Sequence, residues 1–353
     1  MSAGPQVAAP PAYTVAPGAP GSDRDTVAHL WQVSGLGNLT DEQQKARYDW
    51  FYLRNPQGDG EISYLHAASE PAAVGFLGVG RREWQLDGES TPAGVLVDFV
   101  VRPDHRTAAP ALTLQRRGRE RALQWARVLT GLPDVKAVAV FKRLDKHVQF
   151  FLPRYVRILR YDGYLRRRLP AFAARVLGKI IGLSDGGLRS LRLLGGDLRG
   201  SWGSFDGRFD ALWQRVDKRG RAVGLRDAKF LAWRFSDQPG FNYRTYAVER
   251  GTDLVLYFVC DLQGDTLAVK DVLGSGSVAD YTRGLLMLAN AARGLGAHAV
   301  SIQVIGDETL DRALKAANFI ERDKRPFFAV LHDSVRERGV TLRWYITQAD
   351  EDI

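Results

Sequence analysis

The sequence has one cysteine, Cys260, in 353 residues, which excludes an internal disulfide and suits a reducing compartment. Cys260 closes the apolar run 254–260 and reads as a packed strand residue rather than a nucleophile. No uninterrupted apolar run approaches the ~18 to 20 residues that a membrane-spanning helix needs. The six histidines, at positions 29, 66, 105, 147, 298 and 332, form no close pair. No Cys or Glu spacing completes a ligand set, so no metal is expected. Residues 1–22 are rich in Pro, Ala and Gly but lack the basic start and apolar stretch of a signal peptide. They read as a disordered leader, and the chain is expected in the cytoplasm.

What is present is a globular balance, 45% apolar and 25% charged residues, at a length that suits two domains rather than one. The net charge of +9 is concentrated, because between Tyr164 and Gly200 eight basic residues stand against two acids. There Leu169, Phe172, Val176, Ile180 and Leu183 recur at three- and four-residue steps among Arg166, Arg167, Arg168, Arg175 and Lys179. That pattern suits an amphipathic helix resting on an anionic membrane through residues 166–200; the same apolar face could instead pack between two domains. An RNA site would interleave aromatic rings with the charges. Phe172 is the only aromatic between Leu165 and Gly200, which argues against nucleic acid.

The chain also repeats itself. Leu30-Trp31-Gln32 recurs as Leu212-Trp213-Gln214, and a second tryptophan follows after 19 residues (Trp50) and 20 residues (Trp233). From these the step to proline is six residues in both copies, to Pro56 and Pro239. A strand hairpin is expected next, then an aspartate inside an apolar strand: Asp98 in 95–101 and Asp271 in 266–273. Asp87-Gly88 supplies a turn signal for the first hairpin.

A helix should follow each aspartate strand. In the first copy Ala111, Leu114, Gly118, Ala122, Trp125 and Leu129 recur at helical spacing, and in the second the helix is expected over 280–295 with Gly296 as its stop. A strand (136–141; 298–305), a short helix (145–151; 307–318) and a last strand (156–161; 325–331) complete each copy. The expected fold class is α/β, two tandem units, each a mixed, mostly antiparallel sheet flanked by helices. The expected boundaries are a leader at 1–22, a first unit at 23–165, a basic linker at 166–204, a second unit at 205–333 and a C-terminal tail at 334–353.

The segment 101–112, Val-Arg-Pro-Asp-His-Arg-Thr-Ala-Ala-Pro-Ala-Leu, resembles the cofactor motif of the Gcn5-related N-acetyltransferases, in which a strand ending in Val-x-Pro leads to Arg or Gln, then a small-residue turn and a helix. Arg106 and Ala111 stand at motif positions; Ala109 replaces the first glycine, and Pro110 has no N–H to give. The resemblance implies acetyl-CoA or another acyl-CoA as co-substrate. Its pyrophosphate would lie on a helix N-terminus, gripped by Arg106 and the backbone of Thr107, Ala108, Ala109 and Ala111, with the end of the strand at Val100 and Val101 facing the thioester. In the second copy, 272–277 (Val-Leu-Gly-Ser-Gly-Ser) has no Arg at that place and reads as degenerate. The layout, over about 25–165 and 205–332, is similar to double-domain relatives associated with bacterial surface-polysaccharide assembly and, more distantly, to FemAB-type aminoacyltransferases.

Acyl transfer to an amine requires loss of a proton from the ammonium form. Asp98, a carboxylate in an apolar strand, is the candidate base, since desolvation would strengthen it; the alternative is an aspartate bonded to a nearby backbone amide or Arg. Tyr155 is the candidate acid for the leaving thiolate on the family's pattern, or else a core residue. His105 could touch a cofactor phosphate or sit exposed in its loop. Trp50 and Trp233 could stack on an acceptor or pack. The implied activity is transfer of an acetyl or similar group to an amine-bearing small molecule or a lipid-linked sugar, in polysaccharide biosynthesis. Aminoacyl transfer from tRNA and a non-catalytic scaffold are the alternatives.

Overall fold

Turn chemistry fixes the first long hairpin. The strands β3 (Ala73–Leu86) and β4 (Glu89–Val101) are joined by Asp87-Gly88, whose φ values of 55° and 83° are the left-handed pair of a type I′ turn. Leu86 therefore pairs with Glu89. The alternation of faces then breaks once, at Asp98, where φ is 50° and the register shifts between Phe76 and Gly78. This is a β-bulge. Strict alternation puts Val101 on the face of Val95 and Val97; beyond the bulge, Val100 joins Val95 and Val97 in one core and Val101 joins Leu96 in another.

The chain is described here from a computed structural model covering residues 13–35, 39–133, 137–144, 147–160, 197–337, 339 and 341–351. The first copy runs β1 (Tyr13–Pro17), α1 (Arg24–Ser34), α2 (Asp41–Tyr48), a π-helical turn (Asp49–Leu53), β2 (Glu61–Ala67), β3, β4, α3 (Ala108–Ala122), β5 (Val128–Gly131), α4 (Val138–Lys142) and β6 (His147–Ile158). The second runs β7 (Leu198–Gly203), a helix Gly207–Arg215, β8 (Arg221–Gly224), a helix Ala228–Leu231 with a π-helical turn Ala232–Ser236, and then β9 (Arg244–Arg250), β10 (Asp253–Gln263) and β11 (Thr266–Gly274). The long helix Val278–Gly294, β12 (Ala299–Gln303), the helix Glu308–Ala316 and β13 (Ile320–Leu331) complete it. The repeated Leu-Trp-Gln falls on matching helices and the second tryptophan on matching π-helical turns. This is the mixed α/β architecture expected.

One sheet runs through both copies in the order β1-β2-β3-β4-β5-β13-β6-β12-β11-β10-β9-β7. The last strand of each copy has crossed over: β13 lies against β5, β6 lies against β12, and the two pair antiparallel at the centre. This exchange explains where the sequence expectations for 125–151 fail. Val128 and Leu129 continue the helical spacing of α3 but enter β5, while Trp125 is drawn off the helix by a hydrogen bond to Glu61 Oε2 (2.7 Å) and by Arg81 stacked 4.2 Å from its ring. The segment expected as a strand at 136–141 forms α4 instead, because β13 already occupies the edge of β5 and Phe141 packs on Gly131 and Phe328. Of the segment expected as a helix at 145–151, the described residues 147–151 enter β6, where strand edges are available on both sides. Tertiary pairing overrides local preference in each case.

Three boundaries also differ. Tyr13–Pro17, within the stretch read as leader, pairs with β2 as β1. Leu198–Gly203, within the stretch read as linker, pairs with β9 as β7. The tail carries a short helix (Asp333–Arg336) and β14 (Arg343–Tyr345), which pairs parallel with β8 and buries Tyr345 and Ile346. The basic stretch 166–196 lies outside the described residues.

The copies meet at the repeated tryptophans. The Trp50 and Trp233 rings stack with centroids 4.9 Å apart, and each indole N–H donates to the other's backbone carbonyl (2.7 and 3.0 Å). Both are almost wholly buried, so packing, not acceptor stacking, explains their recurrence.

Candidate functional site

Beyond the bulge, β4 leaves its neighbour. The ladder between β4 and β5 is parallel and spans only Ala93–Val95, so from Leu96 onward β4's β5-facing backbone groups have no partner in that strand. β11 repeats the geometry: its ladder with β12 stops at Val269. Each copy thus has a splayed strand leading into a helix, and the two helix N-termini differ.

In the first copy α3 is open. Its N-cap Thr107 makes no side-chain cap, and the first turn contains no acid. The Thr107 N–H is bonded to the His105 carbonyl (2.8 Å) and Pro110 has none, leaving the Ala108 and Ala109 amides as donors unpaired among the described residues. Thr107, Ala108 and Ala109 are exposed, and Ala111 is buried. In the second copy Ser277 and Asp280 form a capping box: the Asp280 carboxylate accepts from the Ser277 N–H and hydroxyl (both 2.9 Å) and pairs with Arg250 (2.7 Å). A carboxylate already occupies the place an incoming anion would take. The donor set and small side chains of α3 fit a pyrophosphate; the start of the second helix does not.

The individual candidates fall as follows. Val100 and Val101 pair with Phe76 and Gly75 and are buried. Arg106 does not reach out to a phosphate: its Nε donates to the Val101 carbonyl (2.8 Å) and its Nη2 to the carbonyl of Ser34 at the end of α1 (2.7 Å). His105 is buried between Tyr13 Oη (2.9 Å from Nδ1) and Glu70 Oε1 (2.8 Å from Nε2). Glu70, Asp104 and His105 bring ligand-type atoms within 4.8 Å of one another, but Arg102 pairs with both carboxylates. Bonds from His105 and Arg102 hold Glu70 below the usual carboxylate range.

Asp98 is held from both sides. Arg47 Nη2 donates to Oδ1 (2.9 Å) and Tyr52 Oη to Oδ2 (2.7 Å). Gly78 makes this possible, since a Cβ there would overlap the Tyr52 hydroxyl. Burial first, then the Asp98 charge, pushes the Tyr52 phenol far above its ordinary range, so it stays a donor. This is the Arg-bonded aspartate that the sequence left open beside the candidate base, and it fixes the bulge. Tyr155 stands on β6, with β5 and β13 between it and β4, about 14 Å away at ~4.8 Å per strand. Burial, then Asp311 and Glu321, raise its phenol pKa. Tyr155 and Asp98 are not brought together. Arg47 and Tyr52, absent from the sequence expectations, become partners through the α2 turn; no motif marks them.

No family model matches the sequence, and no curated protein matches it. Solved structures do. A GCN5-related N-acetyltransferase from Kribbella flavida superposes with a TM-score of 0.61 at 13% identity over 92% of this chain and 72% of its own. N-myristoyltransferase from Saccharomyces cerevisiae, solved with bound myristoyl-CoA and inhibitors, gives 0.54 at 12% over 91% and 80%. A GCN5-related glucosamine N-acetyltransferase region in a fungal β-N-acetylglucosaminidase gives 0.53 at 11% over 91% and 38%. Each covers nine-tenths of this chain, so the likeness embraces both copies. No helix among the described residues is long and apolar enough to cross a membrane.

Proposed function

We propose that this chain, which has the fold of the GCN5-related N-acetyltransferases, is an N-acyltransferase that takes its acyl group from coenzyme A in the first copy. The observation that carries the reading is the contrast between two equivalent helix starts, one open with two unpaired amides, the other closed by Asp280. A bound thioester would supply the activated acyl group. Ala108 and Ala109 would hold its pyrophosphate, and the β5-facing side of β4 beyond Val95 would present backbone donors toward the carbonyl oxygen. Asp98 positions that stretch through the bulge.

The acceptor class to test first is an amino sugar, in keeping with the fungal neighbour's described substrate, with a lipid-linked sugar as the larger form for surface polysaccharide. Membrane contact through 166–200 rests on charge pattern alone. The test is calorimetry of acetyl-CoA and myristoyl-CoA with intact protein and with Thr107→Asp. The new carboxylate should cap α3 and keep the thermal midpoint equal or higher. Beside a phosphate at ~5 Å it should weaken acyl-CoA binding about tenfold or more, since such a charge pair contributes roughly 2 to 3 kcal/mol near a protein surface. The proposal fails if neither thioester binds wild-type protein at millimolar concentration, or if both variants bind alike.

A further inference from the structure

The second copy contains a charged group that none of the foregoing uses. Lys270 is the extra residue of the β10–β11 bulge, where Val259 pairs with Asp271 and Cys260 with Val269. It is only 7% exposed, and its side chain makes no hydrogen bond or ion pair with any described residue. A lysine this far buried without a direct partner is uncommon. Burial lowers its pKa below the ordinary lysine range; the Asp261 carboxylate works against that shift, and Arg234 and Arg325 add to it.

Lys270 lines a cavity of about 310 Å³ where β11 leaves β12, together with Arg154, Gln263, Ser301, Gln303 and Gln348. The other charged groups nearby have direct partners of their own, although the Asp261 carboxylate also acts on Lys270 from a distance. Arg154 grips Asp323 (Nε to Oδ1, 2.9 Å), Arg325 pairs with Glu351, and Asp261 accepts from Gln263 (2.8 Å). Arg234 bonds Gln238 Oε1 (2.6 Å) and the Gln348 carbonyl (3.1 Å). Gln348 Nε2 donates to Gln303 Oε1 (3.1 Å), which leaves the Gln303 NH₂ and the Ser301 hydroxyl without a described partner. An ammonium without a direct partner, two neutral donors and a small polar volume define the chemistry. We infer that this cavity binds a small molecule through a single carboxylate, at a site distinct from the acyl-donor site of the first copy. The volume is at the small end of ligand cavities, suited to an amino-acid-sized compound. The lining guanidinium, Arg154, is held by Asp323, which distinguishes the cavity from a site built around free guanidinium forks for a doubly charged phosphate.

The inference does not depend on acyl-CoA binding. Its test is saturation-transfer NMR and calorimetry of the full chain with L-glutamate, glutarate, the neutral glutaramide and inorganic phosphate. At least one carboxylate should bind at millimolar concentration or below, with glutaramide tenfold or more weaker. Lys270→Met should lose the carboxylate signal by a similar factor with its thermal midpoint unchanged or higher, since an apolar side chain of similar length replaces a mostly buried lysine that has no direct partner. A readout on the wild type covers the case of a variant that does not fold: trinitrobenzenesulfonate should modify Lys270, mapped by mass spectrometry, and the bound carboxylate should slow it. Absence of carboxylate binding, tighter binding of phosphate than of either carboxylate, or binding that leaves Lys270 modification unchanged would each overturn the assignment.

Discussion

Replacing Trp233 by alanine is expected to lower the free energy of unfolding by about 3 to 5 kcal/mol, the range for truncating a large buried aromatic. The residue is 3% exposed, stacked on Trp50, and donates to the Trp50 carbonyl. Truncation therefore leaves a cavity and a buried acceptor without its donor. The loss should appear in both copies at once. Because β13 and β6 are exchanged between the halves, neither half can unfold without removing a strand from the other. Urea denaturation followed by tryptophan fluorescence and by far-ultraviolet circular dichroism should give one coincident transition for both wild type and variant. Separate transitions, or a loss under 1 kcal/mol, would mean that the tryptophan pair does not join the copies.

Arg226→Met should be as damaging, for an electrostatic reason. Arg226 is 1% exposed and bonds Asp271 through Nε (3.1 Å) and Asp350 through Nη2 (2.7 Å); Thr347 and Tyr257 also donate to Asp271. The two carboxylates hold the guanidinium charged against the desolvation of burial. Removing it leaves two buried anions without a cation, a loss of about 3 to 5 kcal/mol or complete misfolding. Adding Asp271→Asn and Asp350→Asn to Arg226→Met should recover most of that loss, because the triple variant contains no unpaired charge. Urea midpoints of the three-step series check this, and a triple variant no better than Arg226→Met would show that packing, not charge, makes Arg226 necessary.

The sequence announced those features that depend on short-range chemistry. Asp87-Gly88 dictated its turn, Leu-Trp-Gln and the second tryptophans marked the repeat, and Val278–Gly294 formed as its spacing and Gly296 indicated. The exchange of β6 and β13 was hidden because both strands look alike locally and their partners lie in the opposite copy. Once the exchange is known, α4 and β6 follow from which edges remain available. The same holds at the site. The small-residue segment after β4 was readable as a helix start, but the turning of Arg106 onto Val101 and Ser34, and of Arg47 and Tyr52 onto Asp98, arises from contacts between distant segments. Lys270 is visible as a charge inside Ala268-Val269-Lys270-Asp271-Val272-Leu273, but its cavity forms from strands and a C-terminal turn far apart in the chain.

The first copy is proposed to hold acyl-CoA along β4 and at the open start of α3. Amide hydrogen exchange on the intact protein, with and without acetyl-CoA, tests this most directly. Exchange should slow at Ala108 and Ala109 and along Leu96 to Val101, and stay unchanged over Ser275 to Asp280. Slowing confined to Ser275 to Asp280, or no change in either segment at a concentration where calorimetry detects binding, would contradict it.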